Sequence, residues 1–395
     1  MLIIVLLLAL MLTLLGLYIS RDIFAPYVVG PGVWAIIILL YYFVPNNYYP
    51  VCHDFPLALL IWLFSFSIVS CVVSCKVASS NSSALKRIPN KNIIRIYVII
   101  TVTVVPIMAF MLIWKAFTEE PETMFRYLRV MATGIDDDIK APDFGPFVYA
   151  MAVAYIAMFF VVLYSKSKIV IVLVIFMNLL VAFVQMAKIN FLTVLFTLTY
   201  LGYVRGVLKL RHFAYLLVGF LVLSFFLQVA RFAGDDSQVG LSDSLSLYTT
   251  SAMVCFDYFL NPGSSLHFGE HVFRLLYAIG HPLGLCGEPV STIEKFVSIP
   301  ELANTYTVLS SFYVDFGYFG IVLFSIIYGV IYGFLYKKSK TGGTQELIIY
   351  AIFLVYLILE FFAELIFANL SMTIQYIILS ILPFALNKKQ CSNCT

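Results

Sequence analysis

The sequence predicts an all-α fold: a polytopic transmembrane helix bundle of about eleven spans, with an extracytoplasmic lid of short interfacial helices. Two observations carry this. Of the 395 residues, 62% are hydrophobic and 11% charged, whereas roughly a quarter of a globular domain is charged. Apolar runs of about 20 residues, long enough to cross the hydrocarbon core as helices, recur along the chain, and the alternating segments of a barrel do not. The chain reads as one integral membrane domain, 1–395.

In order, the spans cover about 2–19, 27–44, 56–75, 94–114, 146–164, 169–187, 191–204, 213–230, 318–336, 347–367 and 371–386. The first lacks a basic leader and a small-residue cleavage site, so it is read as a span, not a signal peptide. Short cytoplasmic loops retain Lys and Arg. Sixteen of the 24 fall in one set of connections: Arg21, then Lys76 to Arg95, Lys166 with Lys168, Arg205 to Arg211, Lys337 to Lys340, and Lys388 with Lys389. That side is taken as inside, which puts the N-terminus outside and the C-terminus inside. The net charge of +3 then reports topology and gives no reason to expect nucleic acid as a partner.

Two outer loops are long, 115–145 and 231–317. The first carries seven carboxylates around Arg126 and Arg129, which stand three apart on a predicted helix. Sharing a face, they suit a common anion, and they suit their acidic neighbours equally well. Asp136, Asp137 and Asp138 lack the alternating oxygen ligands of a calcium loop. In the second loop, Leu245, Tyr248, Ala252, Phe256 and Phe259 recur at helical spacing, after a possible cap at Ser242 or Asp243 and before Asn261-Pro262-Gly263. This predicts one surface-lying helix. A shorter helix over GEHVFRLLYAIG places Arg274 one turn from Glu270 and from Tyr277 and stops at Gly280.

Residues 304–320 read NTYTVLSSFYVDFGYFG. As a helix, 304–316 aligns Asn304, Thr307, Ser311 and Asp315 in one polar stripe. Asp315 then faces the lid cavity just before Gly317 and Gly320, which let the backbone bend or pack closely. Two readings of Asp315 stand side by side, a functional carboxylate at membrane depth and a helix-end carboxylate paired with water. Gly329 and Gly333 make a helix-packing face. Glu360 and Glu364 share a face of the tenth span and could act as proton carriers, bases or partners for a lid arginine.

No metal or cofactor is expected. His267, His271 and His281 lack a convincing ligand set, and Cys391-Ser-Asn-Cys394 lacks a second pair. Cys255 and Cys286 are both external, which allows a disulfide.

The stretch NTYTVLSSFYVDFGYFGIVLFSIIYGVIYGFLYKK resembles the C-terminal region of oligosaccharide repeat unit polymerases, the O-antigen polymerases of the Wzy type, at Asn304, Tyr306, Thr307, Tyr313, Asp315, Phe316, Gly317 and Gly320. About 35 residues carry the likeness. The arginine-to-glycine spacing of some members is absent, since Arg274 precedes Gly284 by nine intervening residues and Arg231 precedes Gly240 by eight. The resemblance implies a glycosyltransferase at the periplasmic face of the bacterial inner membrane. Its partners would be undecaprenyl diphosphate-linked glycans, membrane lipids and a chain-length co-polymerase. The departing diphosphate needs cations, for which Arg231 and Arg274 stand first and Arg126 and Arg129 next. The acceptor hydroxyl needs a base, Asp315 or His281. Asn304, Tyr306, Thr307, Tyr313, Glu360 and Glu364 complete the expected substrate contacts. Two alternatives remain: a lipid-linked oligosaccharide flippase or polysaccharide transporter carried by Glu360 and Glu364, and an O-antigen ligase.

Overall fold

The computed structural model describes residues 1–76, 88–133, 138–207, 219, 241–291 and 294–387. The fold is all-α. Its helices are α1 (Leu2–Ser20), α2 (Pro26–Phe43), α3 (Phe55–Lys76), α4 (Lys91–Glu119), α5 (Met124–Thr133), α6 (Ala150–Tyr164), α7 (Lys168–Val184), α8 (Lys188–Val204), α9 (Leu241–Thr249), α10 (Ser251–Phe259), α11 (Arg274–Gly280), α12 (Ser310–Thr341), α13 (Thr344–Ile358) and α14 (Leu370–Ala385). The only strands among the described residues are the two-residue pair β1 (Val297–Ser298) and β2 (Leu302–Ala303), antiparallel. Among the described residues, six helical segments are long and apolar enough to cross a membrane: α1, α2, α3, α4, Gly145–Tyr164 and α12. α7, α8, α13 and α14 are apolar but shorter. The predicted span 213–230 lies outside the described residues.

The chain divides into two compact units, Met1–Lys86 with Gly240–Thr373 and Arg87–Val239 with Ile374–Thr395. In the first, α12 lies close on α3 because two glycines let the backbones approach. A Cβ on Gly333 would stand 2.7 Å from the Ser70 carbonyl oxygen, and one on Gly329 would stand 2.8 Å from Val69 Cβ. Aromatic rings fill the seam: Trp62 stacks on Phe66 and Phe312 and meets Tyr328 edge-on. Asp22 ties the far end of α12 to the α1–α2 turn by accepting from Tyr336 (2.9 Å) and pairing with Lys340 (2.7 Å). In the second unit, polar side chains link the apolar helices. Asn178 of α7 donates to the Ala154 carbonyl of α6 (3.0 Å), and Tyr155 of α6 bonds Thr197 of α8 (2.8 Å).

Four expectations are corrected. The helix predicted over 304–316 begins only at Ser310, because Leu302–Ala303 is drawn into the strand pair and the Thr307 hydroxyl accepts from Leu309 N–H (3.3 Å), ending the extended run. The stripe from Asn304 to Asp315 therefore does not form. The predicted single surface helix is two, joined at Thr250, and every residue of α10 from Ser251 to Asp257 is buried. α13 stops at Ile358, so Glu360 and Glu364 lie in irregular backbone and not on one helix face. Cys255 and Cys286 are free thiols.

Candidate functional site

α12 contains one break. Gly317 takes φ 59° and ψ −147°, a conformation essentially confined to glycine. The break frees the carbonyls of Tyr313 and Val314 from helical bonding, and they accept from the N–H groups of Gly263 (3.0 Å) and Ser265 (3.2 Å). Gly320 is required as well, since a Cβ there would stand 2.2 Å from the Phe312 carbonyl oxygen. The kink thus ties the segment following α10 to α12.

Asp315, two residues before the kink, completes the attachment. Its carboxylate accepts from the backbone N–H of His271 (3.1 Å) and Val272 (2.9 Å), and its Oδ1 lies 2.8 Å from His271 Nδ1. The Asp315 side chain is fully buried, and the imidazole keeps 21% exposure. Asp315 is therefore a clamp whose reachable end is the His271 ring. Burial alone would lower the His271 pKa; the hydrogen bond and charge of Asp315, reinforced by Glu294 and Glu270, outweigh it and raise the pKa.

One turn on, Arg274 is half-buried at the start of α11. Among the described residues its guanidinium donates no hydrogen bond. Desolvation lowers its pKa against the pull of Glu294. Glu294 is exposed by surface area, yet its carboxyl lies among enough protein atoms for desolvation to raise its pKa against His271 and Arg274. His271, Arg274, Glu294 and Asp315 thus share one electrostatic neighbourhood, in which His271 and Arg274 both feel the Glu294 carboxylate.

Other predicted site residues take supporting positions. Tyr313 is buried and donates to Asp54 (2.6 Å), whose other oxygen takes the Tyr318 hydroxyl (2.9 Å). Tyr306 is buried and donates to the Lys295 carbonyl (3.3 Å). Thr307 is buried in the turn it caps, and Asn304 is half-buried. His281 opens a short 3-10 turn and is exposed. Arg126 is exposed and Arg129 half-buried on α5, in the second unit. Arg231 lies outside the described residues. Glu270 takes Leu266 N–H (2.9 Å) and stands outside α11, not one helical turn before Arg274.

A second polar cluster follows α13. Glu364 accepts from the backbone N–H groups of Ile366 (2.7 Å), Phe367 (3.0 Å) and Ala368 (2.5 Å) and from the Tyr328 hydroxyl. Glu360 is buried, and the indole N–H groups of Trp34 and Trp62 beside it are the donors nearest its carboxyl, though among the described residues none of these atoms reaches good hydrogen-bonding geometry. The Glu360 carbonyl accepts from Val308 N–H (2.8 Å), joining this irregular stretch to the segment ahead of α12.

Sequence reasoning passed over three residues. His271 was weighed only as a metal ligand, because its partner lies 44 positions away. Asp54 and Glu294 carried no local signal. Compared with protein-family models, curated proteins and solved structures, the chain matches none.

Proposed function

We propose that this chain is a membrane glycosyltransferase that polymerises undecaprenyl diphosphate-linked repeat units into O-antigen or a related surface polysaccharide. It would work at the periplasmic face of the bacterial inner membrane, with eleven spans and residues 231–317 as a lid. One observation carries the reading: the Asp315 of the Tyr-x-Asp-Phe-Gly stretch meets His271, beside an Arg274 with no hydrogen-bond partner among the described residues.

In this reading the acceptor hydroxyl attacks the anomeric carbon of the growing chain. The bond from that carbon to the diphosphate oxygen breaks, and undecaprenyl diphosphate leaves with the electron pair. The hydroxyl proton passes to His271 Nε2. Asp315 holds the Nδ1 proton and so fixes the tautomer that leaves Nε2 free to accept. Arg274 meets the developing charge on the diphosphate with its planar fork. The base role thus moves from Asp315, which is buried and fully engaged, to His271, which is reachable. Arg231 and His281 keep the catalytic roles, and Arg126 and Arg129 the substrate contacts, that the resemblance implies.

A gel of surface polysaccharide from a strain lacking the protein tests this, with complementation by the intact chain, Arg274→Ala or His271→Asn. The expected result is a ladder with the intact chain and single-unit-capped lipopolysaccharide in the deletion and both variants. Loss of even the single unit in the deletion overturns the reading in favour of export or ligation. Export has its own support, because a helix that stops at Ile358 ahead of a buried Glu360 resembles the broken helices of transporters. On that reading, Glu360→Gln abolishes the surface product while Arg274→Ala spares it.

A further inference from the structure

We propose that Cys52, His53 and Asp257 form a binding site for a thiophilic divalent cation, zinc by preference, which cross-links the α2–α3 loop to α10. The proposal is independent of the glycosyltransferase reading.

The three donor atoms already stand close together. His53 Nδ1 lies 3.2 Å from Asp257 Oδ2 and 3.9 Å from Cys52 Sγ, and all three lie within 4.8 Å of one another. A tetrahedral zinc with bonds near 2.0–2.3 Å separates its ligand atoms by about 3.3–3.6 Å. Closing the site thus takes a small rotation of the Cys52 side chain, which is exposed and carries a free thiol. Thiolate, imidazole and carboxylate together suit zinc and leave one position for water.

The surroundings fix the donors in place. Asp257 is wholly buried, and its carboxylate accepts from the backbone N–H groups of Cys52 (2.8 Å), His53 (2.9 Å) and Phe55 (2.8 Å). These bonds orient the carboxylate toward the thiol and the ring, as outer partners do in metal sites. The His53 side chain is 54% exposed, so Nδ1 can turn its lone pair to the metal while Nε2 keeps its proton toward water. Binding replaces the thiol proton by the cation and releases it to solvent. The His271–Asp315 pair is built the same way but has no thiol among its contacts, which singles out this pair.

The test uses the intact detergent-purified protein and zinc(II) or cobalt(II) alone as probes. Replacing Cys71, Cys75, Cys391 and Cys394 by Ser removes competing thiols. Expected are one zinc retained after dialysis, a thiolate-to-cobalt charge-transfer band, and a zinc-induced rise in melting temperature. Cys52→Ser and His53→Ala, both at exposed side chains, should each weaken affinity by more than about 100-fold. Zinc retention equal in Cys52→Ser and the parent overturns the site, as does a cobalt spectrum without the sulfur band. A metal-free protein that melts alike with and without zinc does so too.

Discussion

Replacing Asp315 with Asn should open the segment that carries Arg274. The carboxylate receives two backbone N–H groups and the His271 ring, and hydrogen bonds to a charged acceptor contribute roughly 1.5–3 kcal/mol each. An Asn oxygen accepts on one side only, and its NH2 confronts a donor. Because the side chain is fully buried, solvent does not soften the loss. Allowing for relaxation, about 3 kcal/mol disappears, roughly a 100-fold shift toward the open segment. Trypsin reads this directly. Cleavage after half-buried Arg274 requires opening, and cleavage after exposed Lys295 provides the internal standard. The pH dependence has a definite sign. His271 has a raised pKa in the folded protein, so its added stability is fully present below its ordinary pKa of about 6.5 and is lost as pH rises through the raised value. Protection at Arg274 should weaken across that window in the parent, and that weakening should shrink in Asp315→Asn, where only Glu294 and Glu270 still raise the His271 pKa. Equal cleavage ratios in the two proteins, with the same pH profile, would refute the clamp.

Three further outcomes are expected. Gly317→Ala forces an alanine into a glycine-only conformation, while its methyl would meet Pro262 Cβ at an ordinary 3.4 Å; backbone strain of about 1–3 kcal/mol should speed trypsin cleavage at Arg274, and an unchanged rate counts against the kink. Tyr328→Phe removes one donor to Glu364 and should cost about 1–2 kcal/mol, whereas Glu364→Ala strands three backbone N–H groups and should cost about 3 kcal/mol or more, a ranking that melting in detergent checks. If His271 is the base, chain extension in membrane vesicles should fall as pH drops through its raised pKa, and Asp315→Asn should move that fall to lower pH; an identical profile in the two removes His271 from the chemistry.

Helices read clearly from composition because a run such as Leu2–Ser20 needs no partner to declare itself. The glycine roles were also legible: Gly317 and Gly320 as a bend or a close approach, Gly329 and Gly333 as a contact face. The errors came where backbone bonds to distant residues decide the conformation. Asn304 to Val308 lies in the predicted helix but stays irregular, between the strand pair that ends at Ala303 and the bond from Val308 N–H to the Glu360 carbonyl. The run through Glu360 continues the apolar pattern of α13, yet the helix stops at Ile358, and Glu364 further on gathers the N–H groups of Ile366, Phe367 and Ala368. Asp315, by contrast, captures backbone donors 44 and 43 positions away, which no local pattern encodes.

Asp257 and Asp315 show the same device at two places in one unit. Each is a buried helical carboxylate, and each seizes the backbone of a histidine together with that ring's Nδ1. Taken singly, either resembles a catalytic pair. Taken together, they show that capturing a histidine backbone is first a way of fastening a polar loop to an apolar helix, where bonds to charged acceptors offset the loss of water. What separates the two is what the ring then faces. His53 faces an exposed thiol, and His271 shares the field of Glu294 with Arg274. The third group at each clamp is therefore what separates the two proposals made above, a thiol beside His53 for a metal and the Arg274 guanidinium near His271 for a phosphate.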